Sequence, residues 1–157
     1  MSISIIRALP ADAETLVRVQ VAAFHYDSVL YPGVELGGPP GYDSVDEMLE
    51  KIQQDETYKI MDGETCVGGL VAFKRDNEHY HLDVIFLDPA AQNRGIGTLA
   101  MQFLEQAYPA SVWTLDTPAW AVRNQHFYEK FGFVKLHEFV HDDGTPLISY
   151  ERRAATP

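Results

Sequence analysis

A strand pattern, a glycine-containing loop and a helix pattern follow one another between residues 79 and 108. Residues 79–87 have the composition of a strand, and the loop after them contains Gly95 and Gly97. Apolar residues then recur at helical spacing at Ile96, Leu99, Ala100, Phe103, Leu104 and Ala107. This is the clearest amphipathic helix in the chain, and it begins at the glycines.

Strand patterns also occur on both sides of this segment. Residues 57–61, 65–74 and 79–87 are separated by short polar turns, which predicts an antiparallel meander. After the helix, residues 111–116 form a strand that returns through a crossover, so it should lie parallel to residues 79–87. The other predicted strands are residues 2–8, 133–140 and 147–152.

Caps and apolar spacing predict the remaining helices. One helix follows Pro10, and Ser44 with Glu47 forms a capping box that starts a short helix ending near Gln54. Residues 122–131 form another helix, which ends at Gly132. We therefore predict an α/β (α+β) fold with a central mixed, mostly antiparallel sheet of about seven strands and about four flanking helices.

Composition restricts the class of protein. The 157 residues, of which 46% are hydrophobic and 22% charged, suit one globular domain over residues 1–157. The net charge of −11 argues against nucleic acid binding. The longest apolar stretch, residues 66–73, is too short for a membrane helix. The N-terminus lacks the basic and long apolar blocks of a signal peptide, so we expect a cytoplasmic protein without membrane contact. We expect no metal, because His79 and His81 lack further ligands at a recognisable spacing.

The loop of residues 92–98 could bind phosphate, because free N–H groups and the positive end of the helix dipole converge at a helix start. Glycines there could also serve only a tight turn. Gly95, Gly97 and Ala100 satisfy a dinucleotide-binding fingerprint, with Asp116 near the position of its ribose-binding acid. The long gap between the strand and the first glycine, the meander and the single crossover count against that alternative. No GKS or GKT sequence follows, which argues against a nucleotide triphosphatase.

Gln92, Gly95 and Gly97 form a QxxGxG sequence between a strand and a helix. A second block, Phe127-Tyr128-Glu129-Lys130-Phe131-Gly132-Phe133, lies downstream where a helix passes into a strand. On these two blocks the sequence resembles the GNAT superfamily of N-acetyltransferases, and the predicted order of elements over residues 2–152 agrees with that family. The resemblance implies a GNAT-like fold in which one parallel strand pair is splayed at the acetyl-CoA site.

The resemblance also implies that the protein transfers an acetyl group from acetyl-CoA to a primary amine of a small molecule or peptide. The backbone of Ile85 and Leu87 would pair with the pantetheine arm, and residues 92–98 would hold the pyrophosphate. The family often has an asparagine where this chain has Ala121, and Asn124 is a candidate substitute on the helix face of Tyr128. The residues expected to bind the cofactor are Ile85, Phe86, Leu87, Gln92, Asn93, Arg94, Gly95, Ile96, Gly97, Thr98, Asn124, Phe127 and Tyr128.

Acetyl transfer to an amine requires a base that removes a proton from the nitrogen. Alternation along residues 79–87 groups the odd-numbered positions, so His81 and Asp83 should share the cofactor-facing side with Leu87. His81 is the predicted base, because its ordinary pKa of about 6.5 suits the task, and Asp83 is the second candidate. Either residue could instead be a polar group on a partly wet sheet face.

The reaction also requires an oxyanion-binding group and an acid for the departing thiolate. A backbone N–H near Phe86 or Leu87 would stabilise the oxyanion where the parallel strands splay. By analogy with the family, Tyr128 would protonate the sulfur, whereas the alternative is that it only packs in the core beside Phe127.

The acceptor should lie between the loop of residues 27–42 and residues 117–120, which flank the open end of the sheet in this architecture. Aromatic residues there could clasp an apolar or cationic group: Tyr26, Tyr31, Tyr42 and Trp120. The same residues could equally cover the core or the interface of a homodimer. Two alternatives of other classes stay open, a CoA-binding regulatory module without catalysis and a dinucleotide-dependent oxidoreductase.

Overall fold

The structure, a computed structural model, describes residues 2–154 of the chain. The strands are β1 (Ile3–Arg7), β2 (Glu56–Asp62), β3 (Thr65–Asp76), β4 (His79–Leu87), β5 (Val112–Pro118), β6 (Val134–Val140) and β7 (Pro146–Arg153). The helices are α1 (Ala13–His25), the single turn α2 (Asp27–Leu30), α3 (Val45–Gln54), α4 (Ile96–Ala107) and α5 (Val122–Lys130). No helix within residues 2–154 combines the length and the apolar composition that crossing a membrane requires.

The strands pair in one seven-stranded sheet in the order β1-β2-β3-β4-β5-β7-β6. Every neighbouring pair is antiparallel except β4 and β5, which are connected through α4 and run parallel. The mixed, mostly antiparallel sheet predicted from the sequence is therefore confirmed. Its topology differs from the doubly wound parallel sheet of dinucleotide-binding proteins.

The parallel ladder between β4 and β5 is short. It ends where Leu82 lies opposite Leu115, although both strands continue beyond this point. The next residue, Asp83, has no partner on β3, because the register shifts between Val71 and Ala72. An extra residue of this kind bends a strand and changes which face its side chains meet. The splayed parallel pair that the family resemblance implies is present at this bulge.

Helices cover the two faces of the sheet with separate apolar clusters. The larger cluster lies under α4 and α5 and includes Ile96, Ala100 and Leu104. The cluster under α1 and α3 includes Leu16 and Met48. Burial of these side chains supplies the main favourable free energy of folding.

The predicted bounds of the strands and of α3, α4 and α5 agree with the structure to within two residues. Ser44 caps α3, since its Oγ accepts a hydrogen bond from the Glu47 N–H at 3.2 Å. The segment after His25, predicted to be an irregular loop, contains the turn α2, because Tyr26 keeps helical backbone angles (φ −65°, ψ −21°). A single residue with helical backbone angles therefore connects α1 to α2.

We expect Leu70→Ala to lower the free energy of unfolding by about 2–5 kcal/mol, because Leu70 is fully buried in the sheet and truncation leaves a cavity. Leu36→Ala is the matched control, since Leu36 is 69% exposed and its truncation should cost less than about 0.5 kcal/mol. Urea denaturation measures both variants. Equal losses of stability would contradict this description of the core.

Candidate active site

A cavity of about 480 Å³ lies beside β4, beyond the end of the parallel ladder. Its volume is within the range of small-molecule and cofactor sites. Except for Arg94, all the residues predicted to bind the cofactor line it: Ile85, Phe86, Leu87, Gln92, Asn93, Gly95, Ile96, Gly97, Thr98, Asn124, Phe127 and Tyr128. β4, the loop before α4, and α5 thus place residues that are distant in sequence around one cavity.

The backbone of β4 presents free polar groups to this cavity. The Asp88 N–H donates to the Val67 carbonyl at 2.7 Å. This bond shows which residues of β4 direct their N–H and C=O groups toward β3. Because alternate residues face the neighbouring strand in an antiparallel ladder, the N–H of Phe86 points to β3. The N–H groups of Ile85 and Leu87 and the C=O group of Ile85 point the other way, toward the side where β5 has diverged, and the Leu87 carbonyl on that side accepts a hydrogen bond from Nε2 of Gln92 at 3.3 Å.

The loop before α4 turns with left-handed backbone conformations at Asn93 (φ 61°) and Gly95 (φ 80°). Gly95 is the N-cap of α4, and no side chain caps the helix. The first helical hydrogen bond runs from the Leu99 N–H to the Gly95 carbonyl at 3.3 Å. The N–H groups of residues 96–98 therefore have no acceptor within the described part of the chain, which makes them available to an anion.

Gly97 lies against α5 in the first turn of α4. A Cβ atom at this position would be 3.1 Å from Cζ of Phe127, which is tighter than ordinary van der Waals contact. A larger side chain would therefore displace Phe127 or fill the cavity between the two helices. Glycine at this position keeps the backbone of α4 accessible to a ligand.

Tyr128 lines the cavity from α5 and is only 8% exposed. Its ring packs against Phe127 and Phe133, with centroid distances of 5.4 and 6.0 Å. Burial raises the pKa of the Tyr128 hydroxyl above its usual value of 10.0. The hydroxyl is therefore protonated at neutral pH and can donate a hydrogen bond. Asn124, one helical turn earlier, lines the same cavity, as its spacing predicts.

Arg123 connects α5 to two other walls of the site. Its Nη2 donates to Oδ1 of Asn93 at 2.9 Å, and its backbone N–H donates to the Tyr31 hydroxyl at 3.1 Å. His126 and Lys130 also line the cavity from α5. Sequence reasoning missed these three residues, although the spacing of Arg123 and Lys130 from Phe127 places them on one helix face.

Arg94 is the one predicted cofactor-binding residue that does not line the cavity. Its Nη2 lies 3.2 Å from Oδ2 of Asp62, at the end of β2. This ion pair links the glycine loop to the β2–β3 hairpin.

His81 and Asp83 do not line the cavity either. Leu82 and Ile85 pack in the same cluster under α4, because the bulge at Asp83 shifts the alternation of β4 by one residue. His81 alternates with Leu82 and lies on the other face, and Asp83 pairs with Lys51 of α3 at 3.0 Å. The prediction that His81 and Asp83 share the cofactor-facing side of β4 is therefore wrong, since it assumed an unbroken strand.

His81 is 6% exposed, with Nδ1 at 2.7 Å from Oγ1 of Thr114 and Nε2 at 3.8 Å from Oδ2 of Asp116. Burial, with a smaller contribution from the positive charge of Arg75, lowers the pKa of His81 to about 4. The imidazole is thus neutral at pH 7, but it is a weak acceptor for a proton from an ammonium of pKa about 10.4. The base role of His81 and of Asp83 stays a prediction.

The predicted acceptor residues separate into two groups. Tyr31 lines the cavity, and its ring packs edge-on against Trp120 with a centroid distance of 5.2 Å. Tyr26 and Tyr42 lie outside the cavity lining, and the Tyr42 hydroxyl is 2.7 Å from Nε2 of His25. Sequence reasoning also missed Asp27, which lines the cavity from α2.

Comparison with known proteins agrees with this geometry. Residues 28–133 match the acetyltransferase (GNAT) family. The uncharacterized protein YrkN of Bacillus subtilis (strain 168) is 34% identical over an alignment of 104 residues, and the match covers 57% of this chain and 56% of that protein. The chain therefore matches little more than half the length of this curated relative.

Solved structures share the fold at low sequence identity. PaiA N-acetyltransferase from Thermoplasma acidophilum, in complex with coenzyme A, superposes with a TM-score of 0.74 at 18% identity, over 98% of this chain and 100% of that one. The ribosomal-protein-S18-alanine N-acetyltransferase from Escherichia coli gives a TM-score of 0.75 at 12% identity, over 99% and 96% of the two chains. Because the family match covers well over half of its length, the chain belongs to the acetyltransferase (GNAT) family.

Proposed function

We propose that the protein transfers an acetyl group from acetyl-CoA to a primary amine of a small molecule or a peptide. The observation that carries this proposal is the cavity on which the free N–H groups of residues 96–98, the open edge of β4 and Tyr128 converge. Membership of the acetyltransferase (GNAT) family and the coenzyme A complex of a protein with the same fold support it.

The start of α4 would bind the pyrophosphate of acetyl-CoA. The N–H groups of residues 96–98 are free, and the positive end of the helix dipole favours an anion at this position. Arg123 and Lys130 line the same cavity and bring positive charge to a protein whose net charge is −11. Negative charges elsewhere on the protein would not prevent these groups from holding a polyanion, because charges more than about 10 Å away are largely screened in salt solution.

The pantetheine arm would lie along the open edge of β4. The Ile85 C=O and the Leu87 N–H lie where β5 has diverged, and an extended chain with amide groups can pair there as an added strand. This pairing directs the thioester toward the point where the two strands separate. The amine would approach from the side of Tyr31, which lies in the same cavity.

In the reaction, the neutral amine nitrogen attacks the thioester carbon, a C–N bond forms and the C–S bond breaks. The Ile85 N–H, which lies nearer the point where the strands separate, would stabilise the oxyanion, since the Phe86 N–H points to β3 and the Leu87 N–H would pair with the pantetheine arm. Tyr128 would give its proton to the departing thiolate, and the nitrogen's proton would pass to a base. We keep His81 and Asp83 as candidates for that base. Because neither residue lines the cavity, the proton would have to reach either of them through water.

Thiol release from acetyl-CoA with a panel of primary amines tests the proposed function. We expect release of the free thiol of coenzyme A that depends on the amine. A regulatory module without catalysis would bind coenzyme A and release no thiol with any amine. A dinucleotide-dependent oxidoreductase would be stabilised against heat by NAD and not by coenzyme A.

We expect Gly97→Glu to abolish coenzyme A binding, because the side chain would fill the space in front of Phe127 and place a negative charge beside the phosphates. Isothermal titration calorimetry with coenzyme A measures the affinity. Gln102→Glu is the control, since it adds the same charge to an exposed position of the same helix and should change the Kd by less than about twofold. An affinity of Gly97→Glu equal to that of the wild type would remove the proposed phosphate site.

We expect Tyr128→Phe to lower kcat by about 10²-fold, near the small end of the range for proton-transfer catalysis. The loss is limited because a thiolate of pKa about 8.5 leaves well without a proton. Tyr58→Phe is the control, since Tyr58 is also buried and hydrogen-bonds Tyr108 away from the cavity. Steady-state kinetics at saturating acetyl-CoA compare the two variants. Equal kcat values for Tyr128→Phe and the wild type would remove the acid role.

A further inference from the structure

The charged residues of the cavity are divided between its walls. The basic residues Arg123, His126 and Lys130 all lie on α5. Asp27 supplies the only carboxylate among the described residues that line the cavity, and it lies on α2. The phosphates of coenzyme A are suited to the basic wall and would be repelled by Asp27. The carboxylate therefore belongs to the part of the cavity that the other reactant enters.

Asp27 lines the cavity together with two aromatic residues. Tyr26 joins α1 to α2 with helical backbone angles, and Phe24 and Tyr31 lie three residues before and four residues after Asp27. All three of these side chains line the cavity. A carboxylate and two aromatic rings thus form one wall.

Asp27 lacks a positive partner within the described residues. Burial raises the pKa of its carboxyl to about 6, and no neighbouring charge offsets this effect. The carboxylate is therefore mostly ionised at neutral pH, at a cost in free energy that a bound cation would reduce. The other titratable groups that line the cavity are Tyr31, Tyr128 and the basic residues of α5.

We propose that Asp27 binds the acceptor in its ammonium form, before the nitrogen loses its proton to the base, so that the enzyme selects amines that are cationic at neutral pH. This inference rests on the proposed acetyl transfer and defines the charge of its acceptor. Phe24 and Tyr31 line the same cavity, and an aromatic ring can attract an ammonium ion in addition to the ion pair with Asp27. A neutral acceptor would leave the carboxylate unpaired, and an anionic acceptor would be repelled by it.

Asp27→Asn tests the inference, and Asp43→Asn is its matched control. Asp43 is exposed and does not line the cavity, and its substitution changes the net charge by the same amount. The pKa of Asp27 is raised in the folded protein, so ionisation of its carboxyl lowers the free energy of unfolding as the pH rises from about 4 to about 6. Asp27→Asn should therefore fold. The variant removes that unfavourable charge.

The probes are the alkylamines of the panel that support thiol release, compared with aniline, which is uncharged at pH 8. We expect Asp27→Asn to raise the KM for the alkylamines by about 10- to 100-fold, which is the effect of losing one charged hydrogen bond. The Kd for coenzyme A should stay within about twofold of the wild type. The KM for aniline, where the wild type accepts it, should not rise, and Asp43→Asn should leave all three values unchanged.

An unchanged KM for the alkylamines in Asp27→Asn would overturn the inference. Preference of the wild type for aniline over every alkylamine would overturn it as well. A wild-type protein that fails to bind coenzyme A would instead contradict the proposed function, which separates the two failures. Independently of any acceptor, an NMR titration of the Asp27 carboxyl should give a pKa near 6, and an ordinary value of about 3.9 would overturn the argument from burial.

Discussion

The early end of the parallel ladder between β4 and β5 is the constraint on which the site depends. One extra residue, Asp83, bends β4 after Leu82, and beyond it the backbone groups of Ile85 and Leu87 lose a strand partner. Unpaired backbone groups are costly when they are buried, so an unfilled gap of this kind is unfavourable by itself. It becomes useful when a ligand with its own amide groups supplies the missing partner. In the proposed function, the bulge would therefore convert part of a stable sheet into a binding edge.

The negative net charge of the protein means that a bound anion would need attractive groups close to it. In the proposed function, a chain with a net charge of −11 would attract a polyanion through groups within a few ångströms rather than through its overall field. Free N–H groups at the start of α4 and basic side chains on α5 would provide that attraction. The 2.9 Å hydrogen bond between Arg123 and Asn93 holds the glycine loop and α5 together, so both contributions act on the same space. Asp27, on a different wall, divides the cavity into regions of opposite charge.

Local patterns in the sequence were sufficient to predict most of the architecture and the position of the glycine loop at the start of α4. The spacing of Gly95 and Gly97, the amphipathic face of α4 and the turn residues all depend on neighbours in the chain. The bulge at Asp83 could not be predicted, because it appears only as a shift of register against β3. It is the reason that the predicted orientation of His81 is wrong. The cavity-facing position of Asp27 was missed, because Asp27 begins the turn α2 in a segment that was predicted to be an irregular loop.

Amide chemical shifts recorded while coenzyme A is added test the central claim most directly. The account predicts that the amide signals of Ile85, Leu87 and residues 96–98 shift and become protected from hydrogen exchange. The amide signal of Leu82, which lies in the paired part of the ladder, should change much less. Binding of coenzyme A that leaves the signals of residues 96–98 and of Leu87 unchanged would contradict the account.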